Sequence, residues 1–199
     1  MLYFFQIIQS IDFSILDFIQ NTFKCVFLDY VLAFFSYIGE AGGIWIIASV
    51  IMMCFRKTRA TGVMVLCAVL VGFLIGEIGL KHFIARERPF VVNPSVVPFI
   101  KAPSGYSFPS GHSCSSFAAA TVLLMRDKRF GIPTLAVAVL IAFSRLYNYV
   151  HFPSDVLCGI LLGVICAIVT VVIFRKAGFD KKLSGDLKYK KVDDNAEEL

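Results

Sequence analysis

The chain has 199 residues, 58% of them hydrophobic and only 17% charged, with 20 phenylalanines. So apolar and sparsely charged a composition excludes a soluble globular domain and a disordered chain, and it points to an integral membrane protein. The formal net charge is +5, and nothing in the chain indicates nucleic acid as a partner.

Residues 1–22 carry Phe4, Ile7, Ile8, Ile11, Ile15, Phe18 and Ile19 at helical spacing, with Gln6, Gln9, Asp12 and Asp17 interspersed. This pattern predicts an interfacial helix at the N-terminus. A cleaved leader needs a basic start and a small-residue cleavage site. The opening MLYFFQIIQS has neither, so the segment is expected to be retained.

Apolar runs follow at 24–38, 41–55, 61–80, 111–125, 133–149 and 153–174, which predict six transmembrane helices and an all-α membrane protein. Several are shorter than the ~20 residues that a spanning helix needs, so their ends must recruit flanking residues or thin the bilayer. A polar segment over 179–199 lacks the apolar content for a core and is expected to be a cytoplasmic tail without chemistry. The expected organisation is an interfacial helix over 1–22, a six-helix domain over 23–178 and that tail.

Cys25, Cys54, Cys67, Cys114, Cys158 and Cys166 fall in or beside apolar runs, with no CxxC spacing and no matching histidines. Buried free thiols are expected, with no metal and no cofactor.

Basic residues assign the sides. Arg56, Lys57 and Arg59 follow the second run, Arg126, Lys128 and Arg129 the fourth, and Arg175 and Lys176 the sixth. The positive-inside rule makes these ends cytoplasmic, together with Lys24, the tail and both termini. Lys81, Arg86, Arg88, Lys101 and Arg145 are left for the extracytoplasmic side.

Three polar clusters interrupt the apolar runs on that side. The first holds Lys81 and Arg88-Pro89, seven residues apart, which a continuing helix would place two turns apart on one face. The second is Pro109-Ser110-Gly111-His112, where the proline suits a first helical turn and the small residues leave backbone N–H groups open to an anion. His112 is then placed to act as general acid on a departing oxygen.

The third cluster holds Arg145, His151 and Asp155. His151 and Asp155 are four positions apart across a proline-led helix start, so the carboxylate can fix the imidazole tautomer and leave the other nitrogen free to attack phosphorus. Arg145 supplies a planar fork that shares the phosphoryl charge with Lys81 and Arg88. Taken one at a time, these residues also suit snorkelling cations, an ordinary turn and a pinned loop. A common side for all three clusters favours one phosphate-handling site.

Lys-x6-Arg-Pro, then Pro-Ser-Gly-His, then Ser-Arg-x5-His-x3-Asp resembles the type 2 phosphatidic acid phosphatase superfamily, without a gap in any motif. The resemblance implies a metal-independent lipid phosphatase. His151 would be the nucleophile, Asp155 its orienter and His112 the proton donor, with Lys81, Arg88, Ser110, Gly111 and Arg145 binding phosphate. It also implies a covalent phosphohistidine that water hydrolyses. Soluble vanadium haloperoxidases share that superfamily, but the hydrophobicity of this chain sets it apart from them. Vanadate is expected to inhibit.

The expected partners are the lipid bilayer and a membrane lipid phosphate, with no protein partner indicated. The resemblance to small bacterial members favours undecaprenyl diphosphate. Phosphatidylglycerol phosphate and phosphatidic acid are alternatives, as are phosphotransfer to another hydroxyl and, from a different class, a lipid-phosphate binder or transporter without turnover.

Overall fold

The structure, a computed structural model, describes residues 2–179, with side chains from Gln6 onward. The polar segment from residue 180, and with it the expected tail, lies outside the described residues. Within them the chain is helical: α1 (Leu2–Phe23), α2 (Val26–Ile38), α3 (Gly43–Cys54), α4 (Arg59–Phe73), α5 (Lys81–Ile84), α6 (Pro89–Val92), α7 (Gly111–Arg126), α8 (Lys128–Tyr147) and α9 (Pro153–Lys176). A π-helical stretch, Leu74–Leu80, joins α4 to α5.

Small residues let α7, α9 and α4 form the centre. Helices in a bilayer gain little from burying apolar surface against one another, so close packing decides their association. Gly159, Gly163 and Ala167 recur every four residues along α9, and a Cβ on Gly163 would stand 2.3 Å from the Cys114 carbonyl oxygen of α7. Ala118, Ala119, Val122, Met64, Ala68, Ala167 and Val171 fill the resulting core. At its edge the Trp45 indole N–H donates to Ser116 Oγ at 2.9 Å.

Among the described residues, three stretches are long and apolar enough to cross a membrane, namely Arg59–Val92, Lys128–Tyr147 and Pro153–Lys176. Val26–Ile38 and Glu40–Cys54 pass only together, as a pair bent by 43°. Against the six spans expected, length and apolarity alone give three among the described residues, or four with the bent pair as one. The break at Gly39–Gly42, with Ala41 at φ 50° and Gly42 at φ 68°, kinks one path rather than turning it back as a hairpin. Gly42 sits beside Ser115 of α7. At the far end of α3, Arg59 Nε donates to the Met53 carbonyl at 3.0 Å, where the chain does turn back into α4.

The kink also moves the start of the chain. Lys24 pairs with Asp29 at 2.6 Å and lies 5.0 Å over the Tyr147 ring, at the end of the bundle that holds the turn between α8 and α9. The start of α2 and that turn therefore share one end of the bundle. α1 lies across this same end: Gln20 donates to the Tyr147 carbonyl at 2.6 Å, and Leu16 packs with Tyr149 and Phe152.

The two faces of α1 reverse the usual surface-helix pattern. Ile7, Ile11, Ile15 and Phe18 point away from the protein, whereas Asp12, Leu16 and Ile19 are buried against it. The Asp17 carboxylate accepts from the Tyr149 hydroxyl at 3.2 Å.

Cys25 and Cys54 are both exposed and stand at opposite ends of the kinked α2–α3 path. In single-cysteine variants, a membrane-impermeant maleimide should label Cys25 and Cys54 from opposite sides of sealed vesicles. Labelling of both from one side would restore the hairpin.

Candidate active site

A wide helical turn, a helix start and an inter-helix turn converge on one cleft. It has a volume of about 990 Å³, and Lys81, Arg88, Gly111, His112, Arg145 and His151 all line it. The other two candidates, Ser110 and Asp155, stand behind its wall.

The first cluster differs from the continuous helix expected. The π-helical stretch ends at Lys81, and α5 stops at Ala85, whose φ of 51° is left-handed. Pro89 opens the short α6 instead of ending a helix. Lys81 and Arg88 thus reach one cleft from different segments. Lys81 Nζ is held by Glu77 at 2.7 Å and 2.9 Å.

Arg88 is 3% exposed and is gripped by carbonyl groups: Nε donates to Gly105 at 3.0 Å, Nη1 to Val150 at 2.9 Å and Nη2 to Ser104 at 3.3 Å. These three donor contacts leave its guanidinium little freedom. Loop 93–108 therefore serves to aim this cation.

In the second cluster Pro109 precedes the helix instead of lying in its first turn, and Ser110 is the cap. Its hydroxyl accepts from the Ser113 N–H at 3.4 Å and from the Ser113 hydroxyl at 3.0 Å, and its own N–H donates to the Asp155 carbonyl at 3.0 Å. The donors facing the cleft are then the first N–H groups of α7 itself, at Gly111 and His112. A Cβ on Gly111 would meet Glu77 Oε1 at 2.3 Å, so the chain's own carboxylate rests at this electropositive helix start. His112 Nε2 is 3.2 Å from the Ser36 carbonyl and 3.5 Å from Glu40 Oε2. The kink after α2 therefore delivers two oxygen acceptors to this ring.

In the third cluster Arg145 is 2% exposed and donates from Nη1 to Ser36 Oγ, while its buried Nε has no hydrogen-bond partner among the described residues. His151 follows in the turn, also 2% exposed. Its Nε2 lies 3.2 Å from Arg88 Nη1. A guanidinium only donates, so Nε2 accepts and the ring proton belongs on Nδ1. Nδ1 faces Asp155 Oδ2 at 3.7 Å, longer than a hydrogen bond, so the pairing here is electrostatic.

The Asp155 carboxylate is already well satisfied. Oδ2 accepts the Phe152 N–H at 2.8 Å and the Ser107 hydroxyl, and Oδ1 accepts from Arg86 Nη1 at 2.7 Å. Sequence reasoning missed Arg86, Ser107, Glu77, Glu40 and Ser36. Arg86 stood two residues before the Arg-Pro pair, which was its only local signal. Among the described residues, no three His, Cys, Asp or Glu side chains form a metal-binding group.

The arrangement suits attack on phosphorus. A neutral imidazole with its lone pair on Nε2 opens beside Arg88, with helix-start donors, Lys81 and Arg145 around the same cleft and a second histidine across from it.

Burial, with Arg88 and Arg145 acting in the same sense and Asp155 opposing them, lowers His151 to about 3. The same ring in the unfolded chain titrates near ~6.5. Its folded value is depressed, so the neutral ring's stability is intact above about 6.5 and is lost as pH falls toward 3, by up to about 1.4 kcal/mol per pH unit. The His151→Gln chain in detergent should lose less thermal stability than wild type between pH 7 and pH 4.5. Equal losses would contradict a buried neutral ring.

Three comparisons bear on this geometry. The PAP2 superfamily model matches residues 59–179. An undecaprenyl-diphosphatase from Sulfolobus acidocaldarius is 34% identical over 90% of this chain and 87% of its own length. Among solved structures, Aquifex aeolicus LpxE superposes with a TM-score of 0.71 at 30% identity, covering 80% of this chain and 93% of that one. A PAP2-type phosphatidylglycerolphosphate phosphatase from Bacillus subtilis gives a TM-score of 0.67 at 27% identity, covering 92% and 94%.

Proposed function

The chain belongs to the PAP2 superfamily, and from that premise we propose that it is a multi-pass membrane phosphatase that removes a phosphate from a lipid through a phosphohistidine on His151. The observation that carries the reading is the state of His151: Nε2 beside the Arg88 guanidinium, Nδ1 toward a buried carboxylate, and the whole ring neutral.

The reaction proceeds in two displacements. Nε2 attacks phosphorus and forms an N–P bond as the bridging P–O bond breaks, and His112 gives its proton to the departing oxygen. The imidazole becomes a cation, with Asp155 as its counter-ion. Arg88, Lys81, Arg145 and the first N–H groups of α7 take up charge on the equatorial oxygens. Water then attacks the phosphohistidine, His112 accepts its proton, and inorganic phosphate leaves with His151 restored. No step requires a metal.

Undecaprenyl diphosphate is the favoured substrate, attacked at its terminal phosphorus to leave undecaprenyl phosphate. The support is the relative matched over 87% of its own length, whose name states that substrate. The Bacillus subtilis structure, covered at 94%, supports phosphatidylglycerol phosphate as the second reading.

The site end is assigned to the extracytoplasmic face. Arg56, Lys57, Arg59, Arg126, Lys128, Arg129, Arg175 and Lys176 all lie at or next to the opposite helix ends, where the positive-inside rule places the cytoplasm. With the kinked α2–α3 path, the N-terminus then shares the extracytoplasmic side with the site.

Purified protein in detergent with EDTA should release phosphate from undecaprenyl diphosphate faster than from phosphatidylglycerol phosphate. His151→Ala should lose about 10³-fold or more, and vanadate should inhibit the wild type. Activity that disappears with EDTA, or survives His151→Ala, would contradict the mechanism. A reversed lipid preference would select the second substrate.

A further inference from the structure

The candidate pair His151–Asp155 is held from behind by an arginine at one of the six unspecified positions of the Lys-x6-Arg-Pro motif. Arg86 donates from Nη1 to Asp155 Oδ1 and to Ser154 Oγ, both at 2.7 Å, and from Nη2 to Asp12 Oδ2 at 2.7 Å. Its guanidinium carbon lies over the Phe152 ring, 3.9 Å from the centre. Asp12 is 3% exposed and comes from α1, 143 residues before Asp155 in sequence. It also accepts the Ser154 N–H at 2.9 Å and the Ser154 hydroxyl at 2.6 Å, so a carboxylate of one helix caps the first turn of another, the helix that carries Asp155.

We propose that Arg86 and Asp12 are positioning residues for the His151–Asp155 pair, which makes the N-terminal helix part of the catalytic apparatus. The inference rests on the phosphatase reading above. Neither residue touches the cleft that binds substrate; both act through Asp155.

Charge explains why two residues are needed. Attack by Nε2 leaves His151 a cation, and Asp155 must keep enough negative charge to stabilise it. Arg86 alone would pin the Asp155 carboxylate but also neutralise it. Asp12 on the other edge of the guanidinium divides that positive charge, so two carboxylates and one arginine carry one net negative charge for the imidazolium. A planar fork is required, because a lysine ammonium is a point charge that cannot bridge both carboxylates in this geometry. Removing one member of such a buried set leaves an uncompensated charge.

A clamp that only anchors α1 would lower stability, and any activity lost with it would be lost irrespective of Asp155. A positioning role makes the loss depend on Asp155. The test is a double-mutant cycle of Asp12→Asn and Asp155→Asn, extended by Arg86→Lys and Arg86→Met. Phosphate release from undecaprenyl diphosphate is followed in single-turnover mode, which resolves slow variants, and rates are normalised to folded protein by thermal unfolding.

Asp12→Asn should lower the single-turnover rate by about tenfold or more while KM stays within about twofold, and it should change the rate by less than about twofold when Asp155 is already Asn. Arg86→Lys should retain more activity than Arg86→Met but less than wild type. An unchanged rate per folded Asp12→Asn protein, or the same fold-loss in both backgrounds, would overturn the inference. A wild-type chain that releases no phosphate from any of the lipids above would overturn the phosphatase reading itself, a result distinct from either.

Discussion

Asp155 is a carboxylate with no exposed surface, set at the end of an apolar bundle, and the site is built around keeping it charged. Removing such a group from water costs several kcal/mol unless hydrogen bonds and opposite charge replace the lost hydration. Here the Phe152 N–H, the Ser107 hydroxyl and Arg86 supply them. Each comes from a different segment, so the loop before α7, the turn before α9 and the stretch after α5 are tied to one carboxylate. The backbone carbonyl of Asp155 extends the tie by accepting the Ser110 N–H, which fixes the start of α7 against the start of α9. Gly163 makes the same two helices approach closely further along. Packing and polar satisfaction therefore hold the phosphate-facing helix start and the candidate nucleophile in one frame.

The second buried charge, Arg88, is handled differently. Backbone carbonyls of Gly105, Val150 and Ser104 surround it rather than a carboxylate. Such partners orient the guanidinium without cancelling its charge, which suits a group that must meet a phosphate. Arg145 likewise donates from Nη1 to an uncharged group, the Ser36 hydroxyl. Carboxylate partners stand behind the His–Asp pair and at the edge of the cleft, at Glu40 and Glu77, where a bound phosphate would meet Lys81 and His112 first.

Much of this was legible in the sequence, and the reasons for what was not are physical. The three clusters announced themselves because charged residues are costly inside apolar runs, and their spacing held them at helix ends. All three do meet at one end of the bundle. Long-range contacts were not legible: nothing local links Ser36 to Arg145, or Asp12 to Arg86. The α1 helix followed from its periodicity, but the partners of its interspersed polar residues did not: the buried Asp12 accepts from Ser154, and Asp17 accepts from the buried Tyr149. Separate apolar runs over 24–38 and 41–55 imply a hairpin between them, because a glycine-rich break between two short runs suits a hairpin and a kink alike. Only the neighbours of those helices distinguish the two. A spacing of seven positions from Lys81 to Arg88 implied one helix, but left-handed Ala85 ends it, a conformation that an alanine does not advertise.

The claim on which the mechanism rests is the covalent intermediate, and trapping it is the most direct measurement. Undecaprenyl diphosphate labelled in its terminal phosphate would be mixed with the protein, quenched within one turnover and digested, and the peptides analysed by mass spectrometry. The account predicts a phosphoryl group on the peptide that contains His151, stable in base and lost in acid, and absent from the His151→Ala chain. Turnover without any labelled peptide, or label on His112 instead, would contradict it.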